Sequence, residues 1–431
     1  MALISQRNSK MFVKLGGAGY ASSPNPTSPL VGVSDSSPDR NTWEVPILAG
    51  FSFGQTTNST EVSVNEAGFS SRRARVMYND SLAPVEFSFN TYIRPTVGTG
   101  PTKVVAPEQV LWAMLMGADS FNATSGTFYS SMQMNAGSPS TSPAVSPGSS
   151  PNLFQSINTG STNATSDTFG FSASNTSYFP QGNTVFFQVG DASSFELFSI
   201  SNAQISSVTI DFDIEGIATA QWSGMGTSIS RSAGTVNTLA GAFNQGTTQT
   251  TNFIRNKLST ITLSSFRDPA SQSPTSPAYV TGEDTYSIVL TGGSFTIENN
   301  LNFLVPEELG KVNRTVGNIT GTRTISGSLT CYYDTAVSSD KSAEFWSDLI
   351  TGSSGSPTVA GTAPTIRNAH NLAINVGGTT GNRLILNIPT AHFEIPTINP
   401  DELFTLEANF HAIPPSGSFD RTDEAAITYA I

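Results

Sequence analysis

Charge is what this 431-residue chain has least of: only 12% of its residues are Asp, Glu, Lys or Arg, about half the usual share. A surface so poor in charge has to be made from Ser, Thr, Asn and Gly, residues that favour turns and β-structure over helix. Cysteine occurs once, at Cys331, which excludes an internal disulfide framework. The histidines are His370, His392 and His411; they show neither the His-Glu-x-x-His nor the Cys/His spacing of a zinc centre. A nucleophile elbow and a P-loop are also missing. The Gly-rich stretches at 16–19 and 378–383 lack the lysine and helix of a phosphate cradle and read as turns. No apolar run is long enough to span a membrane, and the opening "MALISQRNSKMFVKL" lacks the apolar core of a signal peptide. The expectation is a soluble chain made in a reducing cytoplasm. Its Asn-x-Ser/Thr sequons, at Asn122 and Asn318 for example, then follow from composition rather than glycosylation.

The net charge of −12 makes a poor grip for a phosphate backbone, but such a surface lets nucleic acid pass without sticking. Against these deficits stand 27 Phe residues and regular Val, Ile and Leu, enough apolar material to fold.

The chain also resembles itself. "RNSKMFVKL" (7–15) is echoed by "RNKLSTITL" (255–263), and Pro-Thr-Ser-Pro occurs at Pro26–Pro29 and Pro274–Pro277. "WEVPILAGFSF" (43–53) matches "TYSIVLTGGSF" (285–295), with Gly50 opposite Gly292. "FSFNTYIRP" (87–95) matches "SGSLTCYYD" (326–334), with Thr91 opposite Thr330, and Trp112 falls opposite Trp346. The stretch 194–217, ending "SVTIDFDIEGI", matches 392–413, ending "LFTLEANFHAI". Collinear markers whose spacing shrinks steadily are the mark of duplication with loop loss. The chain divides into a first module, 1–248, and a second, 249–431. A Ser/Pro/Gly-rich insertion at 131–168 enlarges the first.

Each module reads as strand, turn-rich loop, strand, long loop, strand, short helix, loop and closing strands. In "TIDFDIE", Ile210, Phe212 and Ile214 alternate with Asp211, Asp213 and Glu215, so the first set faces a core and the second faces away. The helix "PEQVLWAMLM" has Pro107 at its first position; Trp112 and Trp346 belong to the core. The three carboxylates would suit a cation or a pair of catalytic acids, but alternate strand residues lie about 7 Å apart and no loop wraps around them. A solvated polar face, shared with Glu407 and Asn409, is the preferred reading. Arg72, Arg73 and Arg75 form the densest basic cluster, in the long loop 56–81, as a solvated loop or as inter-subunit ion pairs. The loop 299–318 carries Phe303, Leu304, Val305, Glu307 and Glu308. Apolar residues in a loop point to burial against a partner or against their own module.

The strand pair with a long intervening loop at 292–334, the following helix "AEFWSDLI" and the closing "DFDIEGIATAQWSGMGTSI" (211–229) together resemble the tail tube proteins of long-tailed bacteriophages. The resemblance covers most of both modules and implies a mainly β fold: two tandem β-sandwich or barrel modules, each with a short flanking helix and long loops. It implies a structural virion protein, not an enzyme, without cofactor or metal. Its partners are copies of itself in stacked trimeric, pseudohexameric rings, other tail proteins (sheath, baseplate or tail tip, terminator), and double-stranded DNA in transit, with no membrane. Asp211, Asp213, Glu215, Glu407 and Asn409 are then lumen-facing candidates. Arg72, Arg73, Arg75, Phe303, Leu304, Val305, Glu307 and Glu308 are ring-stacking candidates. Six modules giving four inner strands each make a barrel about 50 Å across, wide enough for a duplex. A baseplate or tail-tip ring protein and a carbohydrate-binding β-sandwich adhesin are the alternatives.

Overall fold

The computed structural model describes residues 9–14, 42–63, 75–97, 104–105, 108–116, 120–122, 127–129, 134–136, 156–157, 166–170, 183–190, 195–232, 243–244, 253–265, 285–307, 309, 312–315, 317–335, 341–351, 370–400, 403–413 and 425–430. Mainly β structure is what the composition demands and what forms. In the first half, β1 (Lys10–Lys14) lies between β2 (Thr42–Val45) and β5 (Thr184–Gly190); β5 pairs with β6 (Phe195–Ser201), and β6 with β9 (Ser228–Ser232). Across from this sheet, β3 (Ser52–Ser63) pairs with β4 (Arg75–Tyr92), β4 with β8 (Thr219–Gly226), and β8 with β7 (Gln204–Asp213).

The second half traces the same succession of pairings. Strand β10 (Thr260–Ser265) lies between β11 (Thr285–Tyr286) and β16 (His370–Val376); β16 pairs with β17 (Arg383–Phe393), and β17 with β20 (Ala426–Ala430). Opposite, β12 (Leu290–Glu298) pairs with β15 (Thr324–Tyr332), β15 with β19 (Phe404–Ala412), and β19 with the end of β17 and with β18 (Thr397–Pro400). The halves meet where β7 runs antiparallel to β12, from Ser207 opposite Glu298 to Asp213 opposite Gly292. The result is one unbroken sheet in the order β18/β17-β19-β15-β12-β7-β8-β4-β3.

Each half closes its core with aromatic side chains and a helix. Helix α1 (Gln109–Met116) buries Leu111, Trp112, Met114 and Leu115 completely. Trp112 meets Trp222 edge to face, 4.9 Å between ring centroids, and the Trp222 Nε1–H donates to Thr91 Oγ1 at 2.9 Å. This satisfies the one polar group that the buried indole carries. Helix α2 (Ser342–Thr351) sends Phe345 among Tyr286, His370 and Phe393, at 5.3, 5.7 and 5.2 Å. Gly293 and Gly327 are required here, because a β-carbon on either would collide with the ring of Phe212 or Phe410.

Several expectations are corrected. Within 56–81, residues 56–63 and 75–81 are strand rather than loop: β3 and β4 remain paired out to Ser63 and Arg75, so the ribbon projects roughly 20 Å past the sheet. The region 299–318 holds a hairpin of its own, β13 (Leu301–Leu304) against β14 (Gly317–Thr320). Ile214 does not join the core; β7 ends at Asp213, a bend follows with Gly216 at φ 98°, and Ile214 is 48% exposed. Thr330 is not the counterpart of Thr91, since Thr91 and Cys331 face the core and Thr330 does not. Strand β19 lies beside β15 as β8 lies beside β4, so the stretch that corresponds to it is 219–226 rather than 207–217. Within the insertion 131–168, short strands at 134–136 and 156–157, with 166–170, extend the sheet beyond β20. Both Pro-Thr-Ser-Pro segments, Arg72, Arg73 and Glu308 lie outside the described residues.

His370 is completely enclosed, and burial, with a smaller push from His392, lowers its pKa to about 3. The unfolded chain therefore takes up a proton near pH 6.5 that the folded chain refuses until about pH 3. This group destabilises the fold progressively as pH falls through that window. Replacing His370→Phe should remove a slope of up to about 1.4 kcal/mol per pH unit there, read from denaturant unfolding at a series of pH values. Parallel stability curves for the two proteins would contradict this account.

Candidate functional site: the polar face of the continuous sheet

Strand alternation gives the continuous sheet one core face and one polar face. In β7, Val208, Ile210 and Phe212 are buried while Thr209 and Asp211 are half-buried and Asp213 is exposed. In β19, Leu406, Ala408 and Phe410 are buried while Glu407, Asn409 and His411 are exposed. Register then carries the polar positions straight across both halves. One row runs Tyr92, Thr219, Asp211, Ser294, Ser328, Asn409. The next includes Asp213, Gly292, Thr330 and Glu407. Four of the five proposed wall residues therefore share one face, two in each half. Glu215 does not join them, because it sits in the bend beyond β7.

The face is knit by short hydroxyl pairs that the sequence reading missed. Ser52 and Ser88 meet at 2.9 Å, Ser294 and Ser328 at 3.1 Å, and Thr209 and Thr296 at 3.0 Å. Each spans two strands, so only the register reveals it; the signal in sequence is no more than Ser and Thr at alternate positions. Small neutral side chains leave the carboxylates standing above a low surface. Asp211 accepts a hydrogen bond from Gln221 Nε2 at 3.0 Å. Its pKa is raised, first by partial burial and second by the charge of Asp213. At the other end Glu394 accepts from Asn409 Nδ2 at 3.2 Å and lies 3.4 Å from His411 Nε2; these bonds hold its carboxyl below the usual range. His392 stands directly across from His411. Among the described residues, no group of three or more His, Cys, Asp or Glu side chains is arranged to hold a metal ion.

The ring-stacking candidates are spread over two elements. Arg75 is exposed at the far end of the ribbon and pairs with Glu61 at 3.1 Å. Phe303 is buried, Leu304 is exposed, Val305 is half-buried and Glu307 is exposed. The two elements touch: Asn313 N–H donates to Asp80 O at 3.0 Å, and Leu82 N–H donates to Asn313 O at 2.9 Å.

This geometry defines a class of protein: a sheet with one continuous polar wall and, among the described residues, no strand on the outer edge of β3 or β18. Over 411 residues the chain is 27% identical to the tail tube protein pb6 of Escherichia phage T5, an alignment that takes in 90% of this chain and 71% of that protein. The resemblance to tail tube proteins of long-tailed phages read from the sequence is borne out by this relative. No protein-family model matches the chain.

The like-charge coupling on the wall is measurable. Asp213→Asn should move the titration of Asp211 down toward the ordinary carboxylate range, followed by NMR of the side-chain carboxyl carbon. An unmoved Asp211 would mean that burial alone raises it.

Proposed function

We propose that this chain is the major tail tube subunit of a phage virion, built from two tandem modules, 1–248 and 249–431. Three copies form a pseudohexameric ring, and stacked rings make the conduit through which DNA leaves. The observation that carries this reading is the joint between β7 and β12, together with the likeness over 90% of this chain to a tail tube protein. One module hands its last wall strand to the first wall strand of the next by main-chain pairing. Among the described residues, the same handover remains open at both edges of the sheet, β3 and β18.

That repetition supplies a register. The hydroxyl pair Ser52–Ser88 corresponds to Ser294–Ser328, which matches Phe53 to Phe295 and Thr91 to Cys331. Ile398 faces Leu406 as Ile210 faces Ala220. Because Ile210 lies opposite Phe295 within the chain, Ile398 would lie opposite Phe53 of the next copy. Pairing of this kind satisfies two strand edges that otherwise invite uncontrolled association. The wall it closes carries Asp211, Asp213, Glu407 and Asn409 inward, and the negative potential of the three carboxylates repels phosphates so that the duplex slides.

Negative-stain microscopy of the purified protein tests the function: long hollow tubes are expected. Single closed rings would favour a baseplate or tail-tip component, and monomers an adhesin. The seam has its own test. Asn399 and Ser52 would face each other across it as a narrow, non-hydrogen-bonded pair, with Cα atoms about 4.5 Å apart, suited to a disulfide. Oxidised Ser52→Cys/Asn399→Cys protein should give covalent species that stop at the trimer on a non-reducing gel. A ladder running past three, or no cross-link, would refute the seam.

A further inference from the structure

The hairpin of the second half is attached to the first half at two separated points. Where β12 gives way to β13, the chain breaks at Asn299 and Asn300, the latter with φ 47°. Asn299 is 2% exposed. Its main-chain N–H donates to Ser206 O at 2.9 Å, its Oδ1 accepts from Arg323 Nε at 3.1 Å, and its Nδ2 donates to Leu115 O. Leu115 belongs to the last turn of α1, whose carbonyls have no partner within the helix. The second point is Asn313, bonded through its main chain to Asp80 and Leu82 at the base of the projecting ribbon.

The ribbon has need of such support. Beyond Asp80 it is, among the described residues, two strands wide and exposed on both faces, with Val62 opposite Val76 and Thr60 opposite Tyr78 on one side, Glu61 opposite Met77 on the other. A lone two-stranded ribbon is marginal in water. Strand register slips easily where the flanking residues are polar, and "QTTNSTE" (55–61) offers little apolar preference.

We infer that the β13–β14 hairpin, pinned at Asn299 and latched at Asn313, acts as a strut that holds the β3–β4 ribbon at a fixed angle for docking onto a second copy of this chain. The docking half of this inference rests on the tail tube reading; the strut does not. Val62, Val76 and Tyr78 form the apolar strip presented to the copy, and Glu61 and Arg75 flank it. In the second half the ribbon is interrupted: pairing of β12 with β15 stops at Glu298 and Thr324 and resumes in the short β13–β14 hairpin. Its corresponding segment is used to brace the other one. Each chain therefore offers one arm, assembled from both halves.

Asn313→Pro removes the N–H that reaches Asp80 O, whereas Asn313→Ala keeps both main-chain bonds. Hydrogen exchange by mass spectrometry on unassembled protein should show residues 76–82 exchanging at least tenfold faster in Asn313→Pro and near wild-type in Asn313→Ala. The melting transition of the core should be retained in both. Asn313→Pro should also lengthen the lag of tube growth severalfold while rings still form. Unchanged exchange at 76–82 in Asn313→Pro would overturn the strut whatever the protein assembles into. Faster exchange with unaltered tube growth would overturn the docking role. Failure of the wild-type protein itself to form tubes would count against the tail tube reading and leave the exchange result standing.

Discussion

Main-chain hydrogen bonding between β7 and β12 is the interaction on which the rest of the structure depends. It makes one sheet from two halves of the chain, and it does so through groups that every residue carries. On the polar face of the joint the ladder itself does not depend on side-chain identity, so Asp211 can face Ser294 and Thr209 can face Thr296 without loss of pairing, while the core face holds Phe212 against Gly293. The polar wall and the shared core both follow from that ladder.

Much of this was legible because alternation is a local property. The core positions of β7, the burial of Trp112 and the turn at 378–383 can each be read from a few neighbouring residues. Gly377, Gly378 and Gly381 do adopt positive φ at that turn. The reading overran at Ile214 and Glu215, where the alternating pattern outlasts the strand by two residues and Gly216 turns the chain away. Nothing in the alternation itself marks where pairing stops.

The missed features depend on which strand lies beside which. The stretch "SFGQTTNSTEVS" looks like a loop because its apolar content is low, yet main-chain pairing with β4 makes it a strand. His392 and His411 are 19 positions apart in the chain and adjacent in the sheet. The clasp of Asn313 on Asp80 joins residues from opposite halves through main-chain atoms alone, so no residue type announces it. The off-by-one match of Thr91 with Thr330 has a similar origin. Identity favoured that alignment, while the two-residue period of the strand allowed only Cys331.

The unequal arms of the two halves bear on how a filament of such chains would carry torsion. In a ring of three copies the wall would repeat twice per chain, but the braced ribbon only once. Neighbouring rings would then have half as many seating angles as the wall has repeats, and slipping from one to the next would mean crossing a whole chain rather than half of one. A smooth bore and a keyed coupling are opposite demands on one symmetric ring. In such a ring, a chain whose halves agree along the wall and differ at the ribbon would answer both.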